Sequence, residues 1–156
     1  MRKLSRAIIP IVSSYAFGIF ASLSVSSNVG VWYDSIAKAP GSPPEYIFPI
    51  GWIIMYGLMG IACAIVWLDD SRIDHHANWV RFFFIHLLFS MAWIMFFFGF
   101  HSILLSLIDI LFVLFMVMAL TVTAYETDKR AGYLLMPYLA WIVFSAYLNF
   151  GVWSLN

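Results

Sequence analysis

The placement of the charged residues constrains this chain more than any other feature. No Asp, Glu, Lys or Arg occurs from Ala7 to Tyr33, from Tyr46 to Leu68, from Phe82 to Ile108, from Ile110 to Tyr125, or from Ala131 to the C-terminus. A helix needs about 20 apolar residues to cross a hydrocarbon core of about 30 Å. The first, second and last stretches each supply one crossing. The region from Phe82 to Tyr125 would run roughly 65 Å as a single helix, about twice the core, so it must turn back. Gly99-Phe100-His101-Ser102 is its only turn-like, partly polar break. The expected fold is an all-α integral membrane bundle of five transmembrane helices, near 7–27, 46–68, 79–98, 103–125 and 131–153, with a long loop at 28–45. The runs lack the apolar/polar alternation of a membrane β-barrel.

Composition points the same way. The chain is 63% hydrophobic and 10% charged, where a soluble domain carries roughly 25% charged residues. Its 156 residues suffice for one domain, taken as 1–156. The eight basic and eight acidic side chains cancel, which implies no nucleic-acid partner; the expected surroundings are a lipid bilayer. The single Cys63 excludes an intrachain disulfide and an all-Cys metal site. Arg2, Lys3 and Arg6 before an apolar run have the outline of a secretion signal, with small residues at Ala21-Ser22-Leu23-Ser24. The segment is read as a retained first span.

Seven of the eight Lys and Arg fall on one side of such a bundle: Arg2, Lys3, Arg6, Arg72, Arg81, Lys129 and Arg130, against Lys38 alone on the other. The positive-inside rule then puts the N-terminus inside, the C-terminus and the 28–45 loop outside, with a bacterial cell membrane as the expected location. An odd number of spans and the lack of an internal repeat disfavour an inverted-repeat transporter.

Several side chains are out of place in a simple span. Of seven Trp, Trp32 and Trp153 fall at the outer boundary and Trp67 and Trp79 at the inner one, as belt residues do. Trp52, Trp93 and Trp141 lie inside spans, where an indole N–H needs a partner. They either line a cavity for a flat apolar ligand or pack as aromatic core. Asp109 is the only acidic or basic residue deep in a span, at a cost of at least about 2.5–3.5 kcal/mol on insertion scales. It serves a ligand or a hydrogen bond between helices. Counting from the Gly99–Ser102 turn, Asp109 stands level with Trp93, and Trp52 shares that outer depth; Trp141 counts nearer mid-membrane. His86 lies about six residues deeper than Asp109, roughly 9 Å, which separates the two. His75 and His76 near Asp69, Asp70 and Asp74 read as a solvated loop rather than a metal site. Pro40, Pro43 and Pro44 stiffen the outer loop, which can act as a lid. Gly60 with Ala64, and Ser22 with Ser26, have the spacing of close helix contacts, within or between chains. No catalytic constellation and no metal motif is present.

Taken in order, these residues resemble the TspO/MBR (translocator protein) family. The resemblance rests on Trp32-Tyr33, Lys38, Pro43-Pro44, Trp52, Tyr56 and Met59-Gly60; on Trp93 with Phe97-Phe98-Gly99; on Asp109; and on Pro137-Tyr138-Leu139-Ala140-Trp141 with Leu148-Asn149. It covers the chain from Trp32 to the end. It implies a five-helix bundle, often a homodimer, that binds porphyrin or haem, sterols in some members, and isoquinoline-type drugs. It implies a ligand cavity at Phe48, Trp52, Tyr56, Trp93, Trp141 and Ser145, with Ser90 and Asn149 nearby, and a lid loop with Trp32, Tyr33, Pro43 and Pro44. This chain departs from the family pattern at Ala39, Gly41, Ser90, Met91, Ile94 and Met95. It also has Phe150 and Ser154 where the sterol motif needs Tyr and a basic residue, which counts against a sterol partner. Gly41 in place of Trp is expected to loosen the lid or widen the mouth.

The reading that follows is a binding and sensing protein for a tetrapyrrole or similar flat ligand, with Asp109 supporting the ligand's polar end or a helix contact. It needs no catalytic residue, no metal and no obligatory cofactor. Transport of such a ligand is the second reading, and light-driven breakdown of a porphyrin the third.

Overall fold

The structure is a computed structural model covering residues 3–25, 29–69 and 73–156, apart from the side chains of residues 21, 24, 25, 29 and 73–75. The described residues form α1 (Lys3–Val25), α2 (Val29–Ser35), α3 (Ile47–Leu68), α4 (Ile73–Ile94) continued by one π-helical turn (Met95–Gly99), α5 (Ile103–Thr127) and α6 (Lys129–Leu155). Among the described residues, four segments, 47–68, 76–99, 103–127 and 129–155, are long and apolar enough to cross a membrane. The 23 residues of α1 reach roughly 35 Å, and α1 carries no charge after Arg6. The chain is a multi-pass membrane bundle of five long helices, with a short sixth, α2, inside the loop expected at 28–45.

Local chemistry sets the reversals. At the end of the π turn, the Phe100 N–H donates to the Met95 carbonyl (2.8 Å) and the Ser102 N–H to the Phe96 carbonyl (2.9 Å). His101 between them has φ 53°, a left-handed conformation that His tolerates better than most residues. This is the Gly99–Ser102 break expected from the sequence. On the opposite side a single residue, Asp128, joins α5 to α6. Its N–H donates to the Ala124 carbonyl (2.8 Å), and its carboxylate caps α6 by accepting the Arg130 N–H (2.8 Å). Gly132 is required there because a Cβ would lie 2.5 Å from that of Tyr125. The resulting α5–α6 hairpin is the most extensive helix pairing, followed by α1 with α3 and α3 with α6.

The α1–α3 contact explains the small residues of α3. A Cβ on Gly60 would meet the Ile11 backbone at 2.7 Å, and one on Gly57 the Tyr15 hydroxyl at 2.7 Å. Gly60 therefore serves a contact within the chain; Ser26 lies outside the described residues. Below this crossing a core of Met59, Phe83, Leu87, Val117, Leu135 and Tyr138 fills the bundle. Trp79 belongs to that core and not to the interfacial belt. It is 5% exposed, and its indole N–H donates to the Thr123 hydroxyl (2.9 Å) on α5. The satisfied N–H is what allows burial. His76 is likewise buried rather than solvated, with Nδ1 2.8 Å from the Asp69 carbonyl oxygen. Asp70 and the side chains of Asp74 and His75 lie outside the described residues.

Candidate functional site: an aromatic cavity beneath the α2 loop

Above the core the helices separate around a cavity of about 600 Å³. The walls come from Tyr15, Gly18, Ile19, Ser22 and Leu23 of α1; Phe48, Pro49, Trp52, Ile53 and Tyr56 of α3; Trp93, Ile94, Phe97 and Phe98 of α4 and its π turn; and Ser145, Leu148, Asn149 and Val152 of α6. Tyr33 of α2, with Ser42 and Glu45 of the loop, forms the roof. This volume falls in the range of small-molecule sites, about 300–1,000 Å³.

Trp52 is the centre of the aromatic wall. Its ring stacks on Tyr56 (5.6 Å, 28°) and leans on Trp93 (6.1 Å, 38°), which stacks on Phe97 (5.7 Å, 21°). Asn149, buried on α6, orients Trp93: its side-chain oxygen accepts the indole N–H at 2.9 Å, and its NH₂ donates to the Ile103 carbonyl at 3.3 Å. One amide thus ties the cavity wall to the start of α5.

The loop is fastened down at several points. The Asn156 side chain accepts from the Ala37 N–H and donates to the Ala37 carbonyl, both at 3.0 Å. Tyr147 donates to the Pro40 carbonyl (2.8 Å), and Ala39 sits against Gly151, where a Cβ would come within 2.3 Å of it. Trp32 stacks on His101 (4.3 Å, 11°). Lys38 bridges Glu45 (3.1 Å) and Asp34 (3.5 Å) and lies over the Tyr33 ring; the hydrogen bond it donates to Glu45 holds its ammonium above the usual lysine range. The Ser42 N–H donates to the Ala39 carbonyl (3.1 Å) across Pro40-Gly41, with Gly41 at φ 79°. That is a type II turn, which needs positive φ at its third residue. Glycine at 41 therefore follows from backbone geometry.

The structure brings together Phe48, Trp52, Tyr56, Trp93, Ser145 and Asn149 in the wall and Tyr33 in the roof, while Trp32 clamps the lid from outside. Pro43 and Pro44 are in the lid without lining the cavity. Three candidate residues stand elsewhere. Trp141 lies behind the wall: its ring is edge-on to Trp52 (6.1 Å) and flat enough on Gly51 that a Cβ there would come within 2.3 Å. The tip of its ring reaches the level of Gly51; further along, α6 runs on to hold the loop through Asn156. Ser90 belongs to a buried network, 3.2 Å from His86 Nε2, which is 2.8 Å from the Tyr138 hydroxyl. Asp109 is buried on α5, a helix that gives the cavity no lining among the described residues, and its Oδ2 has no hydrogen-bond partner there. Depth counting placed Asp109 level with Trp93 but carried no information on which way it faces.

The whole chain matches known proteins. Residues 9–154 match the profile of the TspO/MBR family. The chain belongs to the TspO/MBR family. It is 32% identical over 158 residues to the tryptophan-rich protein TspO of Archaeoglobus fulgidus, covering 99% of both chains. It is 34% identical over 142 residues to that of Chlorobaculum tepidum, covering 90% of this chain and 89% of the relative. Identity to the human translocator protein is 32% over 126 residues, covering 80% of this chain and 75% of the relative.

The α1 wall of this TspO/MBR site went unread in the sequence. Tyr15, Gly18, Ile19 and Ser22 have the i, i+3, i+4, i+7 spacing of one helix face. In a span that is apolar all round, such a face does not stand out.

Proposed function

We propose that this TspO/MBR protein binds a tetrapyrrole, or a flat apolar molecule of similar shape, in the cavity beneath the α2 loop, and that binding serves sensing. The observation that carries this reading is the continuous aromatic wall Tyr56–Trp52–Trp93–Phe97 along a cavity of about 600 Å³. Stacked π-faces favour a flat conjugated ligand. The polar groups on the wall and roof, among them Ser22, Ser145, Asn149, Ser42 and Glu45, are few beside the apolar lining and suit a ligand whose polar groups are confined to its edge. The lid would face outside and the N-terminus inside, given Lys3, Arg6, Arg81, Lys129 and Arg130 on the opposite side. A homodimer in a bacterial cell membrane completes this reading.

Titrating detergent-solubilised protein with protoporphyrin IX while following tryptophan emission tests it. Saturable quenching is expected, with binding weakened in Trp52→Phe and Trp93→Phe and unchanged in Trp67→Phe, which lies at the far end of α3. Equal effects of all three substitutions, or linear unsaturable quenching, would remove the proposal.

A further inference from the structure

We propose that the cavity opens sideways into the lid-side leaflet, between α1 and α3, and that a phospholipid acyl chain occupies this opening. The two helices meet in successive rungs. Ile11 closes on Gly60 and Tyr15 on Gly57, each so tightly that a Cβ on the glycine would come within 2.7 Å of its partner. Positions 53, 57, 60 and 64 share one face of α3, as 11, 15, 19 and 22 share one face of α1. Gly18 closes on Tyr56 as well, a Cβ there coming within 2.2 Å of the Tyr56 ring; beyond it, the next pair towards the lid on these faces is Ile19 with Ile53. Both residues line the cavity, yet both are 58% exposed. One rung further, Leu23 and Pro49 line the cavity and are exposed as well. The contact that glycines close near mid-bundle is open in its lid-side half.

This opening lies along helices that span the membrane, so the medium against it is acyl chain rather than water. Access from the aqueous side is obstructed by the loop, fastened by Asn156, Tyr147 and the Trp32–His101 stack. The roof has the chemistry of a headgroup level: Glu45, which lines the cavity, is bridged to Lys38, itself paired with Asp34, above the apolar walls. A phospholipid with its headgroup at that level would place one chain along Leu23 and Ile19 towards Trp52. An apolar ligand would follow the same route, so its occupancy would depend on its concentration in the bilayer. The proposal concerns access to the cavity and stands whichever ligand the cavity takes.

Brominated phosphatidylcholine, whose acyl-chain bromines quench tryptophan on contact, provides the test. The full chain is reconstituted in nanodiscs of brominated or ordinary phosphatidylcholine, as wild type, Trp52→Phe and the double substitution Ile19→Phe with Ile53→Phe. The double substitution fills the open rung at positions that face lipid and carry no core packing. The part of the emission lost in Trp52→Phe should be quenched by the brominated lipid and spared by aqueous iodide. The double substitution should abolish that quenching while circular dichroism shows the helices intact. Quenching of that emission by iodide instead, or bromolipid quenching that is the same in all three proteins, would overturn the lateral opening.

Discussion

At the scale of single residues, the site depends on side chains that hold other side chains in place. Asn149 orients Trp93 through one hydrogen bond. Replacing it with Leu leaves the indole N–H buried without a partner, a cost of about 1–3 kcal/mol. Asn149→Leu should therefore lower the thermal midpoint in detergent and weaken ligand binding. Gly60→Ala sets a methyl against the Ile11 backbone, which cannot give way as a flexible side chain can. An overpacking cost of about 1–3 kcal/mol is expected, read as loss of folded protein on heating. Some of these roles were legible in the sequence. A Trp inside a span is anomalous enough to single out Trp52 and Trp93. Asp109 was equally anomalous, but a buried polar group marks a constraint without saying which direction it faces.

At the scale of elements, the charges located the five long helices well, because lipid leaves a helix no choice but to continue until polar residues appear. The joints follow from local chemistry. Asp128 caps α6, and Asp128→Ala should cost about 1 kcal/mol. Hydrogen bonds from Arg130 and its backbone hold the Asp128 carboxyl below the usual carboxylate range. Because that value is depressed on folding, its small contribution is present at neutral pH and is lost as the pH falls through the folded-state value. The wild type should thus lose more stability than Asp128→Ala between neutral and strongly acidic pH, a difference that thermal melts at several pH values would register. The seven-residue α2 and the π turn at Met95–Gly99 were not legible. Both are too short to show a period, and tertiary contacts such as Trp32 on His101 decide them.

At the scale of the molecule, the cavity exists because α1 and α3 close at Gly60, Gly57 and Gly18 and part beyond them, while α6 extends far enough to hold the loop over the gap. No pattern along one helix encodes that separation, so the sequence pointed to aromatic side chains at a shared depth but not to α1 as a wall or to α5 as a bystander. The central claim is that ligand binds among α1, α3, α4 and α6 under the loop. Protoporphyrin IX affinity, measured side by side for the wild type, Ser145→Phe and Asp109→Asn, tests it most directly. Ser145 lines the cavity, and Phe there would fill it; Asp109 lies on the helix that gives no lining. The account predicts strongly weakened binding in Ser145→Phe and wild-type affinity in Asp109→Asn, with both proteins folded. Binding lost in Asp109→Asn and retained in Ser145→Phe would contradict it.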